Sequence, residues 1–428
     1  MVIKRSRVLL LALLTVLLAG CSANLQKEPN SKQADEPIEI KMLSSWSTDT
    51  ERGRALHLLV NKYNEARAGK VKISIDINPD WPNYQEKVKT MIAAKQPPDL
   101  FNYNFNPNDL SRQNSGQLLD FSPYMDEQWR SRFKPEDIEA LTFNGELTSI
   151  PYEKAGVLFY YNKKLFAEAG IQTFPQTWDE FFAACAKLKK KGIIPISLMT
   201  ADDSWHSTNA LTYLAAAADG MDVFKAGVSL DTPGMVAAAE KLKQLFSYST
   251  DDAIGANYSI SSNHFALGNT AMIIDGPWLI GSLDDELQKN IGISAGPLVH
   301  QGHAQKGFIV TDTYTPWSAG KQASKEKEQA IVDFMKYMTS DDGVRLMTLE
   351  GRILLSAELS LSEEELKKAG PVLSQFIDVS GSAPESIIQI SRVLKPAAIS
   401  KLPSLIEGMM FEQYDPAGMV RRMNEANQ

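Results

Sequence analysis

Residues 38–77 place a strand, a helix and a second strand within about forty residues, and no other stretch limits the fold so strongly. In IEIKML, Ile38, Ile40 and Met42 alternate with Glu39 and Lys41, the period of a half-buried strand. Thr48-Asp49-Thr50-Glu51 fits a helix capping box, and Leu56, Leu59, Val60 and Tyr63 then share one helical face. VKISIDI (71–77) alternates again. Two parallel strands need a crossover of a dozen residues or more, normally a helix. The unit therefore implies an α/β fold with a largely parallel sheet.

The rhythm recurs. GVLFYY (156–161) reads as a strand, Thr177-Trp178-Asp179-Glu180 as a second capping box, and IIPISL (193–198) as a further strand. Ile331, Phe334, Met335 and Met338 mark one face of a later helix. The last fifty or so residues read as mostly helical, with breaks at Pro384, Pro396, Pro403 and Pro416. A single parallel sheet would have to be unusually wide to absorb every unit in 428 residues, so two lobes are expected.

The N-terminus follows a different logic. Lys4, Arg5 and Arg7 precede the uncharged apolar run Val8 to Leu18, too short to span a bilayer, and Leu18-Ala19-Gly20-Cys21 closes it. This is a secretory leader layout, and its end resembles the bacterial lipobox, which implies lipidation of Cys21. Residues 1–20 are expected to be a signal peptide and 21–37 a polar tether. Loss of the three leader cations takes the formal charge from −8 to −11. So acidic an exported chain is a poor partner for nucleic acid or anionic lipid. Only Cys185 would remain as a free thiol. It shares a helical face with Phe181, Phe182 and Leu188, as a small inert core residue does.

Signatures of catalysis are missing. The sequence has no G-x-S-x-G, H-E-x-x-H, G-x-G-x-x-G or Walker A motif. Ser131–Lys134 and Ser324–Lys327 match S-x-x-K without the S-D-N and K-T-G that a β-lactamase also needs. His300 and His303 sit in a Gly-containing loop without a neighbouring cysteine or carboxylate, so no metal or cofactor is expected. The pairs Asp202/Asp203, Asp251/Asp252, Asp284/Asp285 and Asp341/Asp342 are adjacent, whereas a glycosidase needs carboxylates facing each other across a cleft.

Aromatic residues are instead concentrated in breaker-rich stretches between apolar runs. SSWSTD carries Trp46, PPDLFNYNFNPND carries Phe101, Tyr103, Asn104 and Phe105, and ADDSWHSTN carries Asp203, Trp205 and His206. AMIIDGPWLIG (271–281) puts Trp278 just past a strand that should stop at Asp275-Gly276-Pro277. That tryptophan either folds into the core or stands at the mouth of a cleft. In doubly wound sheets the segments after strand C-termini gather around the ligand crevice. Flat apolar sugar faces stack on aromatic rings while hydroxyls seek carboxylates and amides, so the pattern suits a carbohydrate.

At this point the chain resembles a known family, the solute-binding proteins of carbohydrate ABC importers, the maltodextrin-binding type included. IDGPWLIG, IPYEKAGVLFYYNKKLFAEAGI with FPQTWDEF, PPDLF with GQLLDFSPY, and SKEKEQAIVDFMKYMTSDDGVRLM follow the family's order from about Ile38 to about Leu355. The resemblance implies a two-lobed periplasmic-binding-protein fold (class II type), each lobe a mostly parallel sheet flanked by helices, closing on a sugar. It implies an N-lobe of 38–145 plus 310–355 and a C-lobe of 146–309 plus 356–428. Trp278 matches the family's stacking tryptophan. Trp205, with Asp203 and His206 as hydroxyl partners, falls near another cleft aromatic. Tyr103 with Asn104 follows the PD turn, either in the cleft or packed behind it. Trp46 stands where relatives use short polar residues, and lines or narrows the cleft. Glu153 lies about two positions from a family carboxylate, so it is either that group or a surface residue. Asp312, Tyr314 and Arg352 fall near the crossovers, where an arginine equally suits a backbone or acidic neighbour.

The expectation is a non-enzymatic receptor, held outside the membrane by Cys21, that captures a sugar, an oligosaccharide in the first instance. Implied partners are ABC permease transmembrane subunits and, through them, a cytoplasmic ATPase, with the receptor itself a monomer. Rival readings are the same fold binding a polyol phosphate, polyamine or metal complex, a secreted polysaccharide-degrading enzyme, and a cell-surface adhesion or sensor module.

Overall fold

Strand pairing begins where the alternation is cleanest. In the computed structural model, which describes residues 36–103, 116–225, 227, 229–297, 308–383 and 385–428, Ile38–Ser44 (β1) and Val71–Ile77 (β2) run parallel, in register from Ile38 opposite Val71 to Ser44 opposite Ile77. The other strands of the large sheet are Leu100–Asn102 (β3), Ile150–Asn162 (β4), Ile194–Ile196 (β5), Thr270–Asp275 (β6), Ile291–Ser294 (β7), Phe308–Ser318 (β8) and Glu385–Ile387 (β9). Their order is β2-β1-β3-β8-β4-β6-β5, with β9 beside β8 and β7 beside β4.

The pairs β1–β2, β1–β3, β5–β6 and β8–β9 are parallel. Every antiparallel pair in this sheet involves β4 or β8. These two long strands run against the βαβ units, which makes the whole sheet mixed. β8 meets β9 at Phe308 and β3 at Trp317, so it travels from one half of the sheet to the other. Its register against β4 shifts on both sides of Thr315, the irregularity that lets a long strand bend.

Packing follows the halves of the sheet. Ile40, Met42, Leu56, Leu59, Phe121, Ile150, Trp317, Ile331, Phe334, Met335 and Ile353 form one core. Val157, Phe159, Phe181, Cys185, Tyr213, Leu242, Ala271 and Ile406 form another. Leu158, Tyr160, Ile273, Leu279, Ile291 and Phe376 form a third. Successive side chains of β4 thus feed different cores, because a strand alternates its faces and this half of the sheet is covered on both. Tyr213 ties the crossing strands together, its hydroxyl donating to the Val157 carbonyl at 2.5 Å and accepting the Val310 N–H at 3.2 Å.

Two helix starts compare directly with expectation. Thr177 and Glu180 form the complete capping box ahead of the Trp178–Lys190 helix. The first helix, Glu51–Ala66, is capped by Thr50 instead of Thr48, and its third residue is Gly53. A β-carbon at Gly53 would lie 1.9 Å from the Ser47 carbonyl oxygen. Glycine there lets the loop after β1 lie on the helix's first turn, at the expense of the acidic half of a capping box.

Cys185 has no exposed surface, and burial pushes its thiol pKa up. In a Cys21→Ala protein, an aromatic disulfide reagent should therefore find no reactive thiol in the folded state and one after unfolding in urea. Labelling of the folded protein at the rate of a free cysteine would contradict this packing.

Candidate ligand-binding site

β6 is buried along its whole length and ends at Asp275. Gly276 and Pro277 stop it, as expected for these residues, and a 3-10 turn runs from Pro277 to Ser282. Trp278 is half-exposed, and its ring folds back over Gly276. A β-carbon at Gly276 would lie 2.3–2.5 Å from the indole atoms Cη2, Cζ3 and Cζ2, so no larger residue fits under this ring as placed. The Tyr160 hydroxyl fixes the turn by donating to the Gly276 carbonyl at 2.7 Å.

A second aromatic comes from the start of the Trp205–Asp219 helix. Trp205 is half-buried, and its ring centroid lies 5.8 Å from that of Trp278 at 53°. Asp202 and Ser204 on either side of Asp203 have φ of 55° and 50°, left-handed conformations that are costly for side-chain-bearing residues. The strain turns the chain sharply, and Asp203 is open to solvent two residues before Trp205. Asp203 Oδ1 accepts the Trp205 N–H at 3.1 Å. Crowding by surrounding protein atoms pushes the Asp203 pKa up, and the Asp202 charge pushes it the same way.

Beneath these rings lies a polar group without exposed surface. The Asp275 carboxylate accepts the Gly276 N–H at 2.7 Å, the Tyr258 hydroxyl at 2.9 Å and His206 Nε2 at 3.3 Å. His206 Nδ1 lies 2.8 Å from Ser261 Oγ. A neutral ring protonated at Nε2 satisfies both contacts. Ser261, His206 and Asp275 have the composition of a hydrolytic triad, but the serine meets Nδ1 and the aspartate Nε2. All three are wholly buried. A nucleophile with no exposed surface meets no substrate in this structure, so the constellation reads as a structural anchor.

The opposite side of the seam is supplied by the first turn of the Glu51–Ala66 helix. A β-carbon on Gly281 would lie 2.7 Å from Glu51 Oε2, which brings that carboxylate against the turn carrying Trp278. Arg352 Nε lies 3.6 Å from the same oxygen, and its Nη1 donates to the Ala369 carbonyl. Arg52 lies 5.5 Å over the Trp46 ring and 4.0 Å from Glu153 Oε2.

Among the expected residues, Trp278, Trp205 and Asp203 come together and keep accessible surface. Others require correction. His206 is no free partner for hydroxyls, since both ring nitrogens are engaged with Ser261 and Asp275. Trp46 is 1% exposed, packed edge-on against Trp317 at 5.9 Å and beside Tyr152, so it neither lines nor narrows an opening. Tyr103 is 3% exposed in a cluster with Leu43, Tyr84, Phe101 and Leu118, the packing alternative. Glu153 is neither exposed nor on the surface: Thr315 donates to it at 2.6 Å, and burial raises its pKa against the opposing pull of Arg52 and Thr315. Arg352 takes the backbone and acidic partners that its position allowed. Asn104 and Cys21 lie outside the described residues, as do the side chains of Asp312 and Tyr314.

Tyr258, Ser261, Glu51 and Arg52 escaped the sequence reading. Asn257-Tyr258 repeats the amide-beside-aromatic pattern that singled out Tyr103, and was the available signal. Ser261 and the Glu51 turn carry none. No group of three or more metal-binding side chains occurs among the described residues, and none of their helices is long and apolar enough to cross a membrane.

The raised pKa of Asp203 has a consequence for stability. Its folded-state pKa lies above the unfolded one, so the penalty is absent below the unfolded value and grows as pH rises through the folded value. Asp203→Asn should melt higher than wild type at pH 7, by an amount that solvent screening at this exposed position keeps small, and the difference should vanish as pH falls through about 4. A lower melting temperature at pH 7 would contradict this, as measured by calorimetry without ligand.

Comparisons agree with this architecture. A binding protein of Brucella abortus is 26% identical over 328 residues, covering 69% of this chain and 78% of its own. The diacetylchitobiose-binding protein of Streptomyces coelicolor is 26% identical over 170 residues, covering 39% of this chain and 38% of its own. The structure of a chitin-oligosaccharide-binding protein superposes with a TM-score of 0.80 at 22% identity, over 91% of this chain and 98% of its own. The sequence model described as bacterial extracellular solute-binding protein matches residues 59–370, well over half of the chain, and the chain belongs to that family.

Proposed function

We propose that this protein captures a sugar, in the first instance an oligosaccharide, between its two lobes and delivers it to an ABC permease driven by a cytoplasmic ATPase. One observation carries the reading: two partly exposed indoles 5.8 Å apart beside an open carboxylate, at a seam shared by both halves of the sheet. Rings of this kind stack on the C–H face of a pyranose, and Asp203 accepts from its hydroxyls. The diacetylchitobiose and chitin-oligosaccharide specificities of the two similar proteins support this ligand class.

The lobes are 38–145 plus 310–355 and 146–309 plus 356–428; the separate cores support two lobes, with Leu147, Ile150 and Tyr152 packing in the first core and Val310 in the second where β4 and β8 cross. β4 and β8 then form the hinge, and sugar bound at Trp278 stabilises the closed arrangement over the open one. The protein performs no chemistry on the sugar. It acts as a monomer, tethered to the outer face of the membrane through lipidated Cys21.

Two experiments test this. Protein lacking the leader, with Cys21→Ala, is titrated with mono- and oligosaccharides by tryptophan fluorescence, with the sugars recovered for product analysis. One sugar class should saturate the signal and be recovered intact, and Trp278→Ala should weaken binding on the order of 10–100-fold. Sugar cleavage, saturation only by a polyol phosphate, or unchanged binding in Trp278→Ala would overturn the reading. In cells, labelled palmitate should enter the wild-type protein and not Cys21→Ala, which should be released to the medium. Unlabelled wild type would remove the anchor.

A further inference from the structure

Gly281 stands near the end of the Pro277–Ser282 turn, three residues after Trp278. Its φ lies outside the left-handed region, so the backbone itself does not ask for glycine here. What excludes a side chain is the Glu51–Ala66 helix. That helix packs in the first core through Ala55 and Leu56, whereas the turn packs in the third through Leu279 and Ile280. A β-carbon at Gly281 would lie 2.7 Å from Glu51 Oε2, 3.1 Å from its Cδ and 3.2 Å from its Cγ. Rotating the carboxylate alone relieves only the first of these contacts. The whole Glu51 side chain would have to swing out of the seam.

That side chain is held from behind. Arg352 Nε lies 3.6 Å from Glu51 Oε2, and Arg352 Nη1 donates to the Ala369 carbonyl. Arg352 ends the Asp341–Gly351 helix with φ of 54°, a left-handed conformation that is costly for a residue with a side chain. The same helix lies between two cores, with Val344 and Met347 in the first and Leu349 against the third. Its Arg345 Nε meets Glu365 Oε1 at 2.5 Å, on the Glu363–Ala369 helix that also carries Ala369. Glu51 thus sits between two contacts that cross the proposed division. Its Oε2 has no exposed surface and no hydrogen-bond partner among the described residues. Enclosing a carboxylate oxygen in this way is unfavourable, and opening the seam would hydrate it. The contact therefore needs something else to hold the halves together, as a sugar between them would.

We infer, resting on the function proposed above, that Gly281 is the closing contact of the sugar site. The Trp278 turn seats against Glu51 there when the lobes come together, and the missing side chain sets how far they close. Gly281 and Trp278 belong to one short turn, so holding Gly281 away from Glu51 holds the stacking indole away from the ligand. Gly281 is in this sense a positioning residue that acts through Trp278.

The test is a double-mutant cycle in the Cys21→Ala protein. Gly281→Ala should weaken binding of the saturating sugar about 5–20-fold, and less than about twofold once Glu51→Ala has removed the atoms it would meet. Equal losses in the two backgrounds, or no loss in the first, overturn the inference. A pair of thiols supplies a readout that needs no sugar. In Glu51→Cys the sulfur takes the place of Cγ, 3.2 Å from a β-carbon at position 281, so adding Gly281→Cys brings two thiols within reach of a disulfide. Mild oxidation should join them within one chain, as seen by non-reducing electrophoresis, while the buried Cys185 takes no part. Failure to crosslink overturns the inference. Sugar bound before oxidation should remain with the crosslinked protein through gel filtration, and sugar offered afterwards should not enter. Free exchange of sugar in the crosslinked protein overturns it as well. Thiols that join in a protein binding none of the sugars remove the proposed function and leave the contact between the halves standing.

Discussion

A carboxylate with no exposed surface is costly unless several donors surround it, and Asp275 obtains its donors from three separate segments. Meeting that requirement brings the start of the Trp205 helix and the start of the Tyr258 helix against the end of β6. The two tryptophans of the site are neighbours as a result. Removing one donor would leave a buried charge short of a partner, whereas losing a surface contact of similar geometry would matter little.

The crossing strands supply the second constraint. β4 and β8 belong to both halves of the sheet, so the halves are coupled through their bend and not through a flexible linker. Among the described residues, charged groups meet at the seam: Glu51 against the Trp278 turn, Arg352 on Glu51, and Arg52 between Trp46 and Glu153. Polar contacts of this kind hold two halves together with less free energy than an apolar interface, which suits surfaces that must separate to admit a ligand.

Local signals in the sequence anticipated the fold well. β2 follows its alternation residue for residue and β1 does so as far as Met42, the Thr177–Glu180 box forms in full, and Cys185 sits in the core with the phenylalanines of its helical face. The glycine and proline after β6 end that strand where they should. What escaped was set by partners far away in the chain. Trp46 looks like a cleft residue until Trp317 and Tyr152 arrive to enclose it. His206 looks like a sugar ligand until Asp275 and Ser261 take both of its nitrogens. The Thr48 box fails because the helix starts at Glu51 with Thr50 as its cap, and Gly53 stands where that cap would take an acid. The site is thus legible as a set of aromatic loops, but not in its division between residues that touch a ligand and residues that hold them.

The central claim is that an intact sugar lies against Trp278 in the seam between the halves of the sheet. The most direct measurement is the crystal structure of the protein with the oligosaccharide that saturates its fluorescence. An uncleaved sugar is expected, with one pyranose face parallel to the Trp278 indole at about 4 Å. Sugar bound elsewhere on the molecule, a cleaved product, or an indole ring turned away from the ligand would contradict it.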